Sequence, residues 1–423
     1  MEPKVLVDYE LAVAREGYIV RALLKLEGKV PAADRSMPLN LSLVLDRSGS
    51  MGGAKLERAK EAAAFLARRV RPDDLLSVVA YDDSVNTVSL PVRGAAGADL
   101  PQLIDGIHPG GSTNLSGGWL RGHELTEKGR DGAASGTMHR VLLLTDGLAN
   151  VGITDAPRLV ALCRAAAAKG VSTSTIGFGE DYDEALLAAM AEAGGGNTYY
   201  IERPDQAPGV FEEEIEGLLT LSAQNVVVEV KCAEAVELVA VHNRYPSSQQ
   251  EGMVRVEMGD LYAREPRALL LEFFVPGLTQ GDVQVAMVTI SATVLTDDGG
   301  VEQRDVRMPI ASSLDAQGKL VPEVRTEMLV QEAARAREEA LKLRDEGDSR
   351  GASMVLEYAA SSMVHASVDD ESVREQMGDL QMLASKLQEG LFSPADAKYS
   401  AQRAYNARRG KKLYEEKLRR PKG

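Results

Sequence analysis

Residues 41–53 read LSLVLDRSGSMGG, and residues 54–70 read AKLERAKEAAAFLARRV. The first stretch opens as a short apolar run without clean alternation, the mark of a strand buried on both faces. It stops abruptly in a polar Gly/Ser turn. The second places Leu56, Ala59, Ala63, Leu66 and Val70 at helical spacing. Strand, turn and amphipathic helix in immediate succession predict the opening unit of an α/β sheet.

The alternation continues downstream. LLSVVAY (75–81), SVNTVSL (84–90), RVLLLTDG (140–147), VSTSTIGFG (171–179) and TYYI (198–201) read as strands. PQLIDGI (101–107), NLSGGWLRGHELTEKG (114–129), APRLVALCRAAAAKG (156–170), DEALLAAMAEAGGG (183–196) and PGVFEEEIEGLLTL (208–221) read as helices, the third of them the strongest and the second weakened by its glycines. The segment 38–222 is therefore expected to be a doubly wound, Rossmann-like α/β domain with a mostly parallel sheet. In such sheets ligands bind outside the carboxyl ends of the strands.

On either side the period changes to two. KVLVDYEL (4–11) and GYIVRALLKL (17–26) alternate imperfectly. Six strand candidates follow residue 225: NVVVEVKC, VELVAVH, MVRVEMG, ALLLEFFV, VQVAMVTISATVLT and VEQRDVRMPI. Turn signals at this spacing predict an antiparallel β-sandwich over 223–315, completed by the strands of 1–37, with the α/β domain inserted between them. Residues 316–395 carry Ala/Leu stripes over three helical segments and predict a helical bundle. Ala340, Leu343, Gly347, Asp348, Ala352, Leu356 and Ala359 are faintly similar to one tetratricopeptide repeat, but an array needs several copies. Residues 396–423 are expected to be a basic tail: from 398 onward there are ten Lys/Arg against Glu415 and Glu416.

Composition bounds the function. The chain has 423 residues and a net charge of −15, which argues against a chain-wide nucleic-acid binder. The basic tail leaves an acidic partner, nucleic acid or anionic lipid as a lesser option beside docking on the protein's own acidic surface. Cys163 and Cys232 are far apart and the five histidines include no HExxH, so neither a disulfide framework nor a histidine zinc site is expected. No basic-then-apolar leader opens the chain and no apolar stretch approaches transmembrane length, so a cytoplasmic protein is expected.

Three turns at one sheet edge bring oxygen donors together. Asp46, Ser48 and Ser50 follow the first strand, Thr113 lies in GGSTN, and Asp146 ends VLLLTDG. Two carboxylates and three hydroxyls are hard ligands suited to Mg²⁺, with Mn²⁺ or Ca²⁺ as alternatives. Taken alone, Asp46 and Ser50 also fit helix caps; the other two loops favour an ion. Asp82-Asp83 lies near the same edge, as an outer brace or a polar turn. Asn114 either supports Thr113 or caps the next helix. Trp119 and Cys163 read as core residues, and His108 as a loop residue.

This pattern, Asp46-x-Ser48-x-Ser50, then Thr113, then Asp146, resembles the metal-ion-dependent adhesion site of von Willebrand factor type A domains. The strings LVLDRSGSMGG, GGSTNLSGGWL and VLLLTDGLANVG look like bacterial members. The flanking regions are similar to bacterial proteins described as calcium-activated chloride-channel homologues, and an inserted A-domain is similar to integrin β subunits. The resemblance implies metal-dependent protein binding. Serines and threonine would meet the ion directly or through water, carboxylates would often act through water, and a partner's Asp or Glu would fill the open position. It also admits a subunit of a MoxR- or chelatase-type AAA-ATPase system, or a stress or defence component acting with kinases and phosphatases.

Catalysis is not expected. GGSTNLSGG lacks the GK[ST] of a phosphate loop, no GxSxG elbow surrounds Ser48 or Ser50, and Asp46 is not followed by the DxD of aspartyl phosphotransferases.

Overall fold

The computed structural model describes all residues except 1, 29–37, 95–98, 135, 180–181, 202, 207–208, 212–220, 251, 264–265, 279, 296–300, 367–369 and 411–423. The chain divides into two compact units. One comprises 1–30, 222–294 and 303–423; the other comprises 31–221 and 295–302.

The second unit is a mixed six-stranded sheet flanked by helices. Its strands are β3 (Leu39–Asp46), β4 (Leu75–Tyr81), β5 (Val85–Arg93), β6 (Met138–Thr145), β7 (Val171–Phe178) and β8 (Gly195–Ile201), in the order β5-β4-β3-β6-β7-β8. Only the β4–β5 pair is antiparallel. Every residue of β3 and β4 is buried, which is why both runs read as apolar rather than alternating.

Among the described residues, five helices accompany these strands: α1 (Ala54–Arg69), α2 (Leu100–Asp105), α3 (Leu115–Arg130), α4 (Ala156–Ala168) and α5 (Glu184–Ala193). α1 buries Leu56, Ala59, Ala63 and Leu66, the stripe visible in the sequence. Val44, Val79, Tyr81, Trp119, Val141, Leu143, Leu159 and Cys163 belong to one core cluster. Trp119 is thus a core residue, its indole nitrogen donating to Thr173 Oγ1 at 3.1 Å. Burial pushes the Cys163 thiol up to about 12, so it behaves as a small apolar side chain.

The glycines of α3 mark close packing. A Cβ at Gly118 would lie 2.5 Å from the Tyr81 ring, and one at Gly122 would lie 2.4 Å from Val44 Cγ2. The missing Cβ atoms let α3 approach β3 and β4 closely, at a cost in helix propensity. The helix expected over 208–221 falls mostly outside the described residues; its last residue, Leu221, begins a strand.

The first unit holds two antiparallel sheets. In one, β1 (Glu2–Ala12) forms a hairpin with β2 (Gly17–Glu27), and β2 pairs with β13 (Arg267–Pro276), from Gly17 opposite Pro276 to Leu26 opposite Arg267. β10 (Glu237–Val241) lies beyond β13. The other sheet runs β11 (Ser247–Gln250), β12 (Met253–Tyr262), β9 (Leu221–Cys232), β14 (Gly281–Leu295) and β15 (Val301–Leu314). Both contribute to one core: Val20, Ala22, Leu24, Leu269, Leu271 and Phe273 from the first, and Val226, Val228, Val288 and Ile290 from the second. β11 had no sequence signal, because all four of its residues, SSQQ, are exposed.

The imperfect alternation of residues 17–26 has a physical cause. The odd-numbered Leu23 packs on the opposite face of β2, with Leu270 of β13 and Val324 of α6 (Pro322–Asp345). β2 is therefore covered on both faces. After α6 come α7 (Ser349–His365), α8 (Glu371–Glu389) and α9 (Pro394–Arg408). Ala340, Ala352, Leu356 and Ala359 lie in the helical core with Leu380 and Leu383.

The tail expected to begin at 396 needs correction. Position 396 lies inside α9, a fourth helix opened by a capping box between Ser393 and Asp396. Lys398, Arg403 and Arg409 are buried. Arg403 stands 3.5 Å from Asp379 and 3.7 Å from Glu375, so its charge is matched within the bundle. Tyr245 donates to the Arg409 carbonyl, and the Arg244 amide to the Arg408 carbonyl at 2.8 Å. The rest of the predicted tail, 411–423, lies outside the described residues.

Candidate metal centre

The carboxyl ends of β3, β4 and β6 meet at one edge. Asp46 lies opposite Tyr81 in the β3–β4 register, and Leu45 opposite Leu144 in β3–β6. The chain leaves β3 toward β4 on one side, while β6 lies on the other, so this is a topological switch point.

Asp46 is fully buried at the end of β3, and both oxygens are engaged. Oδ1 accepts from the Ser48 amide at 2.8 Å and Oδ2 from Thr145 Oγ1 at 2.6 Å. Burial pushes the Asp46 carboxyl up, and the hydrogen bonds from Thr145 and Ser48 oppose that rise. The same environment holds the Tyr81 phenol well above its ordinary range, through burial first and the Asp46 charge second.

The loop after Asp46 turns back on the site. Ser48 Oγ and Ser50 Oγ stand 3.2 Å apart, and Ser50 Oγ donates to Asp146 Oδ1 at 2.7 Å. Asp146, also fully buried, receives the Lys55 ammonium on Oδ2 at 2.6 Å. Thr113 arrives from the loop before α3. Its amide donates to Asn150 Oδ1 at 2.9 Å, and its carbonyl accepts from the amides of Asn150 and Val151. A Cβ at Gly147 would lie 3.0 Å from Thr113 Oγ1 and 3.7 Å from Ser50 Oγ. That glycine keeps open the space where the two hydroxyls converge. Ser50 is exposed, whereas Ser48 and Thr113 are buried, so the cluster opens on the surface.

The structure thus brings Asp46, Ser48, Ser50, Thr113 and Asp146 to one edge. Among the described residues no group of three or more His, Cys, Asp or Glu side chains is arranged to hold a metal. Two carboxylates with three neutral hydroxyls is a different donor set, made of hard oxygens only. It fits a hard divalent cation, and the ammonium already drawn to Asp146 shows that positive charge is favoured there.

Asn114 caps α3, its Oδ1 accepting from the Gly117 amide at 2.9 Å. His108 is an exposed loop residue. Asp82 braces the site: it accepts from Ser84 and from the Gly111 amide, and pairs with Arg47. Asp83 is exposed. Sequence reasoning missed Lys55, Thr145 and Asn150. Thr145 adjoins Asp146, but nothing local says that it bonds a residue 99 positions away. Lys55 carried one signal, a cation in the first turn of a helix, where the dipole disfavours it.

Residues 40–213 match the family model of the von Willebrand factor type A domain. The protein sll0103 of Synechocystis sp. is 30% identical over 346 residues, covering 78% of this chain and 79% of that protein. YfbK of Escherichia coli is 29% identical over 280 residues, covering 64% of this chain. The chain spans about half of YfbK, 48% of its length. Among solved structures, a von Willebrand factor type A protein from Catenulispora acidiphila shares the fold with a TM-score of 0.72, at 19% identity and over 97% of both chains.

Proposed function

This chain belongs to the von Willebrand factor type A domain family, and on that premise we propose that it is a metal-dependent protein-binding module. Asp46, Ser48, Ser50, Thr113 and Asp146 form its metal-ion-dependent adhesion site, with Mg²⁺ as the physiological cation. The observation that carries this reading is the chain of contacts from Ser48 through Ser50 to Asp146, with the Thr113 hydroxyl facing the same space at Gly147 as Ser50.

Each residue has a part. The hydroxyls of Ser48, Ser50 and Thr113 and the carboxylate of Asp146 hold the ion. Asp46 has both oxygens committed to Ser48 and Thr145, so it shapes the loop and supplies charge from behind. When bound, the ion supplies a Lewis-acidic position for one Asp or Glu of a protein partner. Two carboxylates at most neutralise a divalent ion, so an incoming carboxylate is not repelled.

Binding rather than catalysis is favoured by the partners of the hydroxyls. Ser48 and Ser50 bond each other and Asp146, not an imidazole that would activate them for acyl transfer. We read the α/β unit as an insertion into a β-sandwich, supported by the pairing of β2 with β13. We take the protein as cytoplasmic on the strength of its two free thiols, Cys163 and Cys232. No helix among the described residues is long and apolar enough to cross a membrane.

Titration calorimetry with Mg²⁺ and Mn²⁺ tests the centre. One site is expected in the wild type, and at least tenfold weaker binding in Asp146→Ala and Asp46→Ala. Unchanged binding in both variants would overturn the assignment. For the partner, affinity capture in Mg²⁺ against EDTA is expected to show a metal-dependent protein that is lost in Thr113→Ala.

A further inference from the structure

Helix α1 opens with a charge in the wrong place. Its second residue is Lys55, in the turn where backbone amides point outward and positive charge is disfavoured. Arg68 and Arg69 sit in its last turn, where cations are favoured. The side chain of Lys55 resolves the conflict by leaving the helix axis. Its ammonium lies 2.6 Å from Asp146 Oδ2, with only 26% of the side chain exposed.

A second element shapes the same place. Gly179, in the turn after β7, has φ +68°, and a Cβ there would lie 3.3 Å from both Cε and Nζ of Lys55. The ammonium is thus flanked by a buried carboxylate and by backbone kept free of a side chain. Asp146 divides its oxygens: Oδ1 takes the Ser50 hydroxyl and Oδ2 takes Lys55.

We propose that Lys55 is a built-in counter-cation of the metal centre: it holds the Asp146 carboxylate toward Ser50, lowers the affinity of the free site for a divalent ion, and raises the positive charge offered to an acidic partner. This deepens the metal-binding reading and rests on it. Asp46, Asp146 and Lys55 together carry a formal charge of −1. A divalent ion then leaves a surplus positive charge, complementary to one carboxylate. Without Lys55 the loaded centre would be neutral and less selective for an acidic partner.

The test uses the full chain and Mn²⁺ alone, with free Mn²⁺ followed by electron paramagnetic resonance. Lys55→Met and Lys55→Gln remove the charge and Lys55→Arg retains it. The first two are expected to bind Mn²⁺ roughly tenfold tighter than wild type, and the third to stay near it. Binding by Met and Gln variants that is equal to or weaker than wild type overturns the proposal while leaving the metal site standing. A wild type that binds no Mn²⁺ overturns the site and the Lys55 role together. A metal-free readout stands apart from both: thermal melts in EDTA of Lys55→Met, Asp146→Asn and the double variant. Non-additive shifts are expected; strict additivity overturns the ion pair as a positioning contact.

Discussion

Arg47 Nη2 lies 3.0 Å from Asp82 Oδ2, joining the loop that carries Ser48 and Ser50 to the end of the neighbouring strand. The same carboxylate accepts from the Gly111 amide at 3.1 Å, and its other oxygen accepts from Ser84. One buried side chain therefore ties three segments around the candidate metal centre without being one of its five candidate ligands. Burial pushes the Asp82 carboxyl up, but the hydrogen bonds from Ser84 and Gly111, with the Arg47 charge, outweigh it and hold it below its ordinary value.

Asp82→Ala is expected to cost about 2–3 kcal/mol of stability, the range for uncoupling a buried, hydrogen-bonded charge. It should also weaken Mn²⁺ binding by misplacing the Thr113 loop. Asp83→Ala, at an exposed position, should change neither. Urea denaturation and Mn²⁺ titration of the two variants make the comparison.

Gly147 sits where the hydroxyls of Thr113 and Ser50 converge. Gly147→Val should fill that space and lower Mn²⁺ affinity by at least tenfold, while the melting temperature stays within a few degrees. Calorimetric titration beside a thermal scan separates the two effects. Loss of fold together with binding would mean that the glycine serves the backbone rather than the site.

Asp8 of β1 gives a pH signature in the other unit. It is fully buried, 3.8 Å from Arg21 Nη1 and 3.8 Å from Arg325 Nε, and burial raises its carboxyl to about 6 in spite of both. Its folded value lies above the unfolded one. Its stabilising contribution is therefore complete below about pH 4 and is lost as pH rises through 6. Asp8→Asn removes this dependence. Relative to wild type, the variant should gain about 2 kcal/mol between pH 4.5 and pH 7.5, measured as the change in urea midpoint across that range.

Asp379 is the carboxylate shared by two buried guanidiniums, Arg337 at 2.7 Å and Arg403 at 3.5 Å. Asp379→Ala is expected to lower stability by about 3 kcal/mol. Truncation after Gly390 removes α9 and uncovers Val330 and Ala334, which pack on Ala404 and Ala407. It should depress the melting temperature of the full chain. If truncation left the melt unchanged, α9 would be an appendage, and the lesser reading of a basic arm for an acidic partner would gain ground.

Local periodicity carried much of the architecture. Runs such as LSLVL and VLLLT lack alternation because their strands are buried on both faces, and the helices between them show their core stripes openly. The clustering of Asp46, Ser48, Ser50, Thr113 and Asp146 was legible for a similar reason: each lies at the end of a strand or in a turn next to a strand or helix, so neighbouring residues announce its position. Packing supplied the rest. Glycines that weaken α3 as a helix are the ones that let it approach Tyr81 and Val44. Arg403, read from the sequence only as part of a basic tail, pairs with Asp379 and Glu375 from another helix. Lys55 meets Asp146 across 91 positions, and Thr145 meets Asp46 across 99. Side-chain pattern along a chain reports how one element faces its surroundings. It holds no record of which distant group occupies those surroundings, because that follows from strand order, register and helix approach, which arise only when the sheet is assembled.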